Sequence, residues 1–214
     1  MSKFFNPDGP LMRFMTKLAD LMILNILFLV TSLPVVTVGA AWTALSYVTL
    51  KMVRDEEGAI VRSYFRAFRQ NFRQATVLWL GVLAIGAVLV LDFRVLSGAE
   101  AAWAGFLRLA LGLLAAALVM ILQYLFPVLA RFDASLKDTL KNAALLALAH
   151  LPKTALMTAA AVGAAVISLW NSLTVSVAVL VWLMIGFAAM AFGNAGILAK
   201  IFEQHLPKQE PSET

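Results

Sequence analysis

A chain of 214 residues that is 62% hydrophobic and only 14% charged has lipid rather than water as its main solvent, since soluble domains carry about 25% charged residues. Apolar runs recur along the whole length, so the net charge of +5 reads as basic loops at a membrane surface and not as a nucleic-acid interface. The absence of cysteine excludes disulfides, thiolate metal sites and a Cys nucleophile.

Lys3, Arg13 and Lys17 precede the first apolar run, and Val38-Gly39-Ala40 has the small residues of a signal-cleavage site. Cleavage there would orphan the stub AWTALSYVTL, and the charged leader contains Asp8 and Asp20, so an uncleaved segment is expected. From Leu21 to Leu50 the chain is uncharged for 30 residues, about 45 Å as one helix, too long for one untilted span and short for two. The stretch SLPVVTVG (32–39) bears on the choice. Pro34 removes a backbone donor and biases Leu33 away from helix, Thr37 suits the cap of a new helix, and Gly39 permits a bend or a close approach. These residues predict spans over 11–33 and 38–53 around an outward-facing turn at Pro34, Thr37 and Gly39, with Lys17 and Lys51 snorkelling to the inner interface. The alternative is one kinked span, five in all, because transmembrane helices tolerate proline.

Next, Arg62, Arg66, Arg69 and Arg73 form one helical stripe, and Val61, Phe65, Phe68 and Phe72 form another beside it. A helix over 59–74 is expected at the inner surface. It either lies in the membrane plane, rings among acyl chains and guanidiniums at the anionic phosphates, or packs against protein as a coupling helix. Four further spans are predicted over 75–91, 109–128, 155–170 and 173–198, each able to cross a hydrocarbon core of about 30 Å. Asp92 to Ala102 and the tight Asn171-Ser172 turn connect them in pairs. Between the pairs, Ser135 suits the cap of a second basic helix carrying Lys137 and Lys141, and Pro152 bends the chain before the fifth span. A basic helix leading into a span thus occurs twice, which hints at two structural halves.

Basic residues crowd residues 51–73 and 129–153, so those loops, the N-terminus and a tail over 199–214 are expected in the cytoplasm. Only Arg94 and Arg108 then lie outside; a single kinked span would send Lys3, Arg13 and Lys17 out as well. The expected fold is an all-α, polytopic transmembrane helical bundle of about six spans forming a single integral membrane domain.

No catalytic, cofactor or metal motif stands out. Glu203-Gln204-His205 lacks the paired histidines of a zinc helix, and His150 reads as a loop residue before Pro152. Gly193-Asn194-Ala195-Gly196 lies inside an apolar run and is expected to let helices approach closely, as are Ala155, Ala159 and Gly163. Asn25, Gln123 and Asn194, with Thr31, sit where lipid penalises polar groups, so they are expected to bond between helices or to line a path. No ionisable residue falls at mid-span in the four later helices, which disfavours an ion-coupled pump.

The stretch LNILFLVTSLPVVTVGAAWTAL followed by VRDEEGAIVRSYFRAFRQNFRQAT resembles the YesL-like family of small bacterial membrane proteins, classed as a domain of unknown function. The resemblance rests on Asn25, Leu33-Pro34, Thr37, Gly39, Phe65, Phe68, Asn71, Phe72 and Gln74, within the first 80 or so residues. It implies a multi-pass protein of the bacterial cytoplasmic membrane, accessory to a carbohydrate-uptake transporter of the ABC type or to its sensor kinase, and it supplies no catalytic residues. The expected function is therefore a non-enzymatic accessory that docks to a partner or to anionic inner-leaflet lipid through helix 59–74. A small permease with a site between two helical halves is the alternative.

Overall fold

Pro34 ends the first helix, α1 (Pro10–Ser32), and a single 3-10 turn (Val35–Thr37) leads straight into α2 (Val38–Val53). The computed structural model describes residues 10–56, 58–98, 102–132 and 134–205; the expectations for Lys3, Asp8 and the tail beyond His205 lie outside the described residues. Here the two helices fold back on each other as a hairpin, not as one kinked span. Its open end is closed by Lys17, whose Nζ lies 2.6 Å from Asp55 Oδ1 and 3.3 Å from the Met52 carbonyl oxygen. Asp55 adopts a left-handed backbone (φ 55°), uncommon for a non-glycine residue, just past the end of α2.

Lys17 pairs with Asp55 at the end of the hairpin, and Lys51 sits 5.0 Å over the Tyr47 ring. One reading of this hairpin needs correction. Thr37 precedes α2 as expected, but its hydroxyl does not cap it. It points back to the carbonyl oxygens of Thr31 (2.6 Å), in the last turn of α1, and Pro34 (2.7 Å), which also accepts from the Thr37 amide at 2.9 Å.

The remaining helices are α3 (Ile60–Ser97), α4 (Ala102–Arg131), α5 (Leu136–Ala149), α6 (Leu151–Ser168), α7 (Ser172–Val181) and α8 (Phe187–His205). A five-residue π-helical turn, Trp182–Gly186, joins α7 to α8 as one continuous rod. Six helical stretches are long and apolar enough to cross a membrane: Leu11–Ser32, Val35–Val53, Ile60–Ser97, Trp103–Arg131, Leu151–Ser168 and Ser172–Gln204. This is an all-α, multi-pass membrane protein.

The largest departure from expectation is α3. Its 38 residues run without interruption for about 57 Å, so the basic stretch over 59–74 and the span over 75–91 are one rod. No glycine or proline separates Arg73 from Leu80, and without a breaker the backbone has no reason to turn. The basic part therefore cannot lie in the membrane plane while its continuation stands across it. At the far end α3 absorbs Asp92 and Arg94. The later basic helix is different. α5, capped by Ser135 Oγ accepting from the Asp138 amide at 3.3 Å, is a separate element that stops at His150, and Pro152 opens α6. The two basic helices thus join their spans differently. The expected tail over 199–214 begins as the last turns of α8.

α2 is the axis of the bundle, packed among α1, α3, α4 and α8. It is also the least apolar of the six spans, with a mean hydropathy of 1.2 against 2.3 for α3 and α4. Lipid drives no apolar surface inward, so the centre goes to the residues that pack closest. Ala40, Ala41 and Ala44 are buried on it, and Thr43 and Thr49 return their hydroxyls to the Gly39 and Leu45 carbonyl oxygens. Gly39 makes the closest approach: a Cβ there would lie 2.6 Å from both the Ala75 carbonyl oxygen and Trp79 Cβ of α3. The close approaches expected at Gly163, Gly193 and Gly196 do not occur, since nothing lies within 4 Å of an added Cβ. Ala155 and Ala159 are exposed, and α6 packs inward through Thr154 and Met157 instead.

Gly39→Ala is expected to destabilise the protein by about 1–3 kcal/mol through overpacking, lowering its unfolding midpoint in detergent, while Gly163→Ala leaves the midpoint in place. The Lys17 hydrogen bond and charge hold the Asp55 carboxyl below its ordinary range. A lowered folded pKa means that the pair stabilises above the ordinary carboxylate range and that this contribution is lost as pH falls through the lowered value. Asp55→Asn should flatten that part of a melting-against-pH curve; an unchanged curve would assign the acid sensitivity elsewhere.

Candidate functional site

Two polar constellations lie within the bundle, and a third lies on its surface. The first is centred on Asn25, on the buried face of α1 with Leu21, Leu24 and Phe28. Its side chain is fully buried. Nδ2 donates to the carbonyl oxygens of Trp182 (3.0 Å) and Leu183 (2.8 Å), and Oδ1 accepts from the Ala188 amide at 3.1 Å. Both acceptors belong to the π-helical turn. A wider turn shifts the backbone ladder by one residue, and Asn25 supplies the partners that the shift displaces. Gly186 makes room for this: a Cβ there would stand 2.6 Å from the Trp182 ring, which lies across the turn and donates its Nε1 to Ser168 Oγ at 3.0 Å.

The second is a partly open cavity of about 380 Å3 bordered by α2, α3, α4, α6, the π-helical turn and α8. Trp42, Trp79, Phe126, Trp182 and Phe187 form much of its wall. The polar residues at its surface include Ser46, Gln123 and Asn194, so two of the three intramembrane residues singled out from sequence share one site and Asn25 stands apart. Gln123 is committed to structure through Nε2, which donates to Thr158 Oγ1 at 2.6 Å. Beside it Tyr124 OH meets Thr154 Oγ1 at 2.9 Å, pinning α4 to α6. The amide of Asn194 and the hydroxyl of Ser46 make no protein hydrogen bond among the described residues.

The third is the α3 surface. Ile60, Tyr64, Ala67 and Ala75 form its buried face. Tyr64 OH lies 2.6 Å from Thr31 Oγ1, which ties α3 to α1. Arg62, Arg66, Arg69 and Arg73 are all exposed. Phe65 and Phe72 are 42% and 40% exposed, whereas Phe68 turns inward, its ring 6.4 Å from that of Tyr64. Of the outward turn, Pro34 is exposed, Thr37 half-buried, and Gly39 buried against α3. Trp79 fastens that turn to α3 by donating Nε1 to the Val35 carbonyl oxygen at 2.7 Å. Beside the arginine stripe a polar cleft of about 600 Å3 is bordered by Tyr47, Gln70, Asn71, Gln74, Arg131 and Ser135.

Trp79, Trp182 and Ser46 were not singled out in the sequence. A tryptophan in mid-span was the available signal for the first two; the π-helical turn left none.

Residues 21–93 match a family described as "Protein of unknown function, DUF624". The matched segment holds Asn25, the hairpin turn, the arginine stripe and Trp79. Over 148 residues the chain is 29% identical to a Bacillus subtilis (strain 168) protein described as "Uncharacterized protein YesL", a stretch covering 69% of each chain. The chain is similar to YesL over this stretch. No solved structure matches it significantly. The matched segment contains the second half of α1, all of α2 and nearly all of α3, that is, the hairpin turn and the rod that carries the stripe; the partners of Asn25 on the last rod lie outside it.

Asn25→Leu removes three hydrogen bonds and leaves the π-helical turn with unpaired backbone groups. With interhelical bonds in membranes worth about 0.6–2 kcal/mol each, the variant should unfold at a clearly lower temperature in detergent. Amide exchange at Ala188 should rise with it; an unchanged rate would remove Asn25 from that role.

Proposed function

We propose that this protein is a non-enzymatic accessory of the bacterial cytoplasmic membrane that docks, through the basic part of α3, onto a carbohydrate-uptake transporter of the ABC type or onto its sensor kinase. The observation that carries this reading is the fixed and exposed row of Arg62, Arg66, Arg69 and Arg73. Tyr64 and Ala67 hold the opposite face of the same turns against α1 and α2, so the four guanidiniums stand on a rigid backbone. Exposed Phe65 and Phe72 flank them with apolar area, the mixture that favours a protein surface with acidic groups and shallow pockets. A rod continuous with a span holds the stripe away from the in-plane lipid geometry, which supports a protein partner above the anionic inner leaflet. The charge distribution supports cytoplasmic termini and a cytoplasmic position for this end of α3. The choice of a carbohydrate system rests on the family resemblance.

A small permease is the second reading, and the cavity among α2, α3, α4, α6 and α8 favours it. The two separate cleanly: purified protein in liposomes moves no sugar if it is an accessory.

Changing Arg62, Arg66, Arg69 and Arg73 together to Glu should abolish co-purification with the transporter or kinase subunits from native membranes, while the unfolding midpoint stays near that of the parent. The parent complex should also weaken as salt shortens the Debye length below about 8 Å. Undiminished co-purification of the four-Glu variant would defeat the docking reading.

A further inference from the structure

We propose that the intramembrane cavity is a binding site for a neutral lipid-like molecule carrying a hydroxyl group, held by Asn194 and Ser46 at its polar end and by the tryptophan and phenylalanine wall along its apolar body. Docking through α3 is not needed for this, and the two proposals stand or fall separately.

The volume, about 380 Å3, is in the range of small-ligand sites, and the lining has their usual make-up of many apolar and aromatic groups with few polar ones. Its position decides the chemistry. Ser46 lies seven residues before the end of α2, about 10 Å along the helix, and Asn194 lies eleven residues before the end of α8, about 16 Å. Both are at hydrocarbon depth. A polar group there is costly unless it finds a partner: Asn25 bonds the π-helical turn, Gln123 Nε2 bonds Thr158, and Thr43 and Thr49 bond their own helix. The side chains of Asn194 and Ser46 bond nothing among the described residues and Gln123 Oε1 is buried without a partner, yet all three come from different helices to the same cavity. An amide both donates and accepts, and so does a serine hydroxyl. The complementary ligand group is one that also does both and carries no charge, which is a hydroxyl. Among the described residues no ionisable side chain lines the cavity, so a carboxylate or an ammonium would enter without a counter-ion. The cavity is partly open and its lining residues Trp42, Val119 and Ala165 are exposed, so entry from the surrounding lipid needs no aqueous route.

The test uses the full chain in lipid nanodiscs and a dodecan-1-ol analogue bearing a diazirine and a terminal alkyne. Saturable photolabelling is expected on α4 and α8 residues that face the cavity, and unlabelled dodecan-1-ol should displace it better than dodecane. Asn194→Leu should cut saturable labelling about fivefold, the equivalent of one hydrogen bond of about 1 kcal/mol. Ala161→Phe, which fills the cavity from α6, should abolish it. Should Asn194→Leu fail to fold, the alcohol-against-alkane competition on the parent and the Ala161→Phe result still decide the matter. Labelling that does not saturate, that falls only on outward-facing residues, or that dodecane displaces equally well overturns the proposal. A cavity holding only water gives the first of these results.

Discussion

The bundle closes on a single carboxamide. Asn25 reaches from the first helix to the last and bonds three backbone groups around the π-helical turn, two as donor and one as acceptor. Neither partner is stable at membrane depth without the other. The widened turn would leave backbone groups facing hydrocarbon, and the amide would have nothing to bond. Because the pairing joins α1 to the Trp182–Ala188 stretch, it fixes the rotation of the last rod. That rotation directs Trp182 and Phe187 toward the cavity, with their ring centroids 4.9 Å apart.

Around this clamp the protein follows a packing logic suited to lipid. Bulky aliphatic residues face outward on α3, α4, α6 and α7, while the axis is the short, small-residue helix α2. Polar side chains act as fasteners between particular elements: Tyr64 to Thr31, Trp79 to Val35, Gln123 to Thr158, Tyr124 to Thr154. Each bond is modest in energy. Together they set the positions of helices whose apolar surfaces alone would slide.

Much of this was legible in the sequence, for identifiable reasons. Charge asymmetry and the Pro34 stop separated α1 from α2, and Asn171 and Pro152 marked real helix starts. Intramembrane Asn25 and Gln123 advertised interhelical bonds because lipid leaves them few other options. What failed was whatever depended on a partner distant in sequence. The sequence did not show that Lys17 pairs with Asp55, 38 residues away. The glycines of α8 looked like contact points, but which face of a uniformly apolar helix turns inward is decided by its neighbours. The arginine stripe was correctly placed on one face, yet of its two expected settings the in-plane one falls away, since periodicity records rotation about an axis and says nothing of where the axis points.

The unbroken length of α3 has a mechanical meaning. A rod of about 57 Å with no hinge behaves as a lever whose fulcrum is the tight crossing of Gly39 against Ala75 and Trp79. Trp79, at that crossing, belongs to the cavity wall and also holds the Val35 turn. The arginine row, the crossing and part of the chamber wall are thus segments of one unbroken helix, with no joint between them at which local bending could separate the surface groups from the interior.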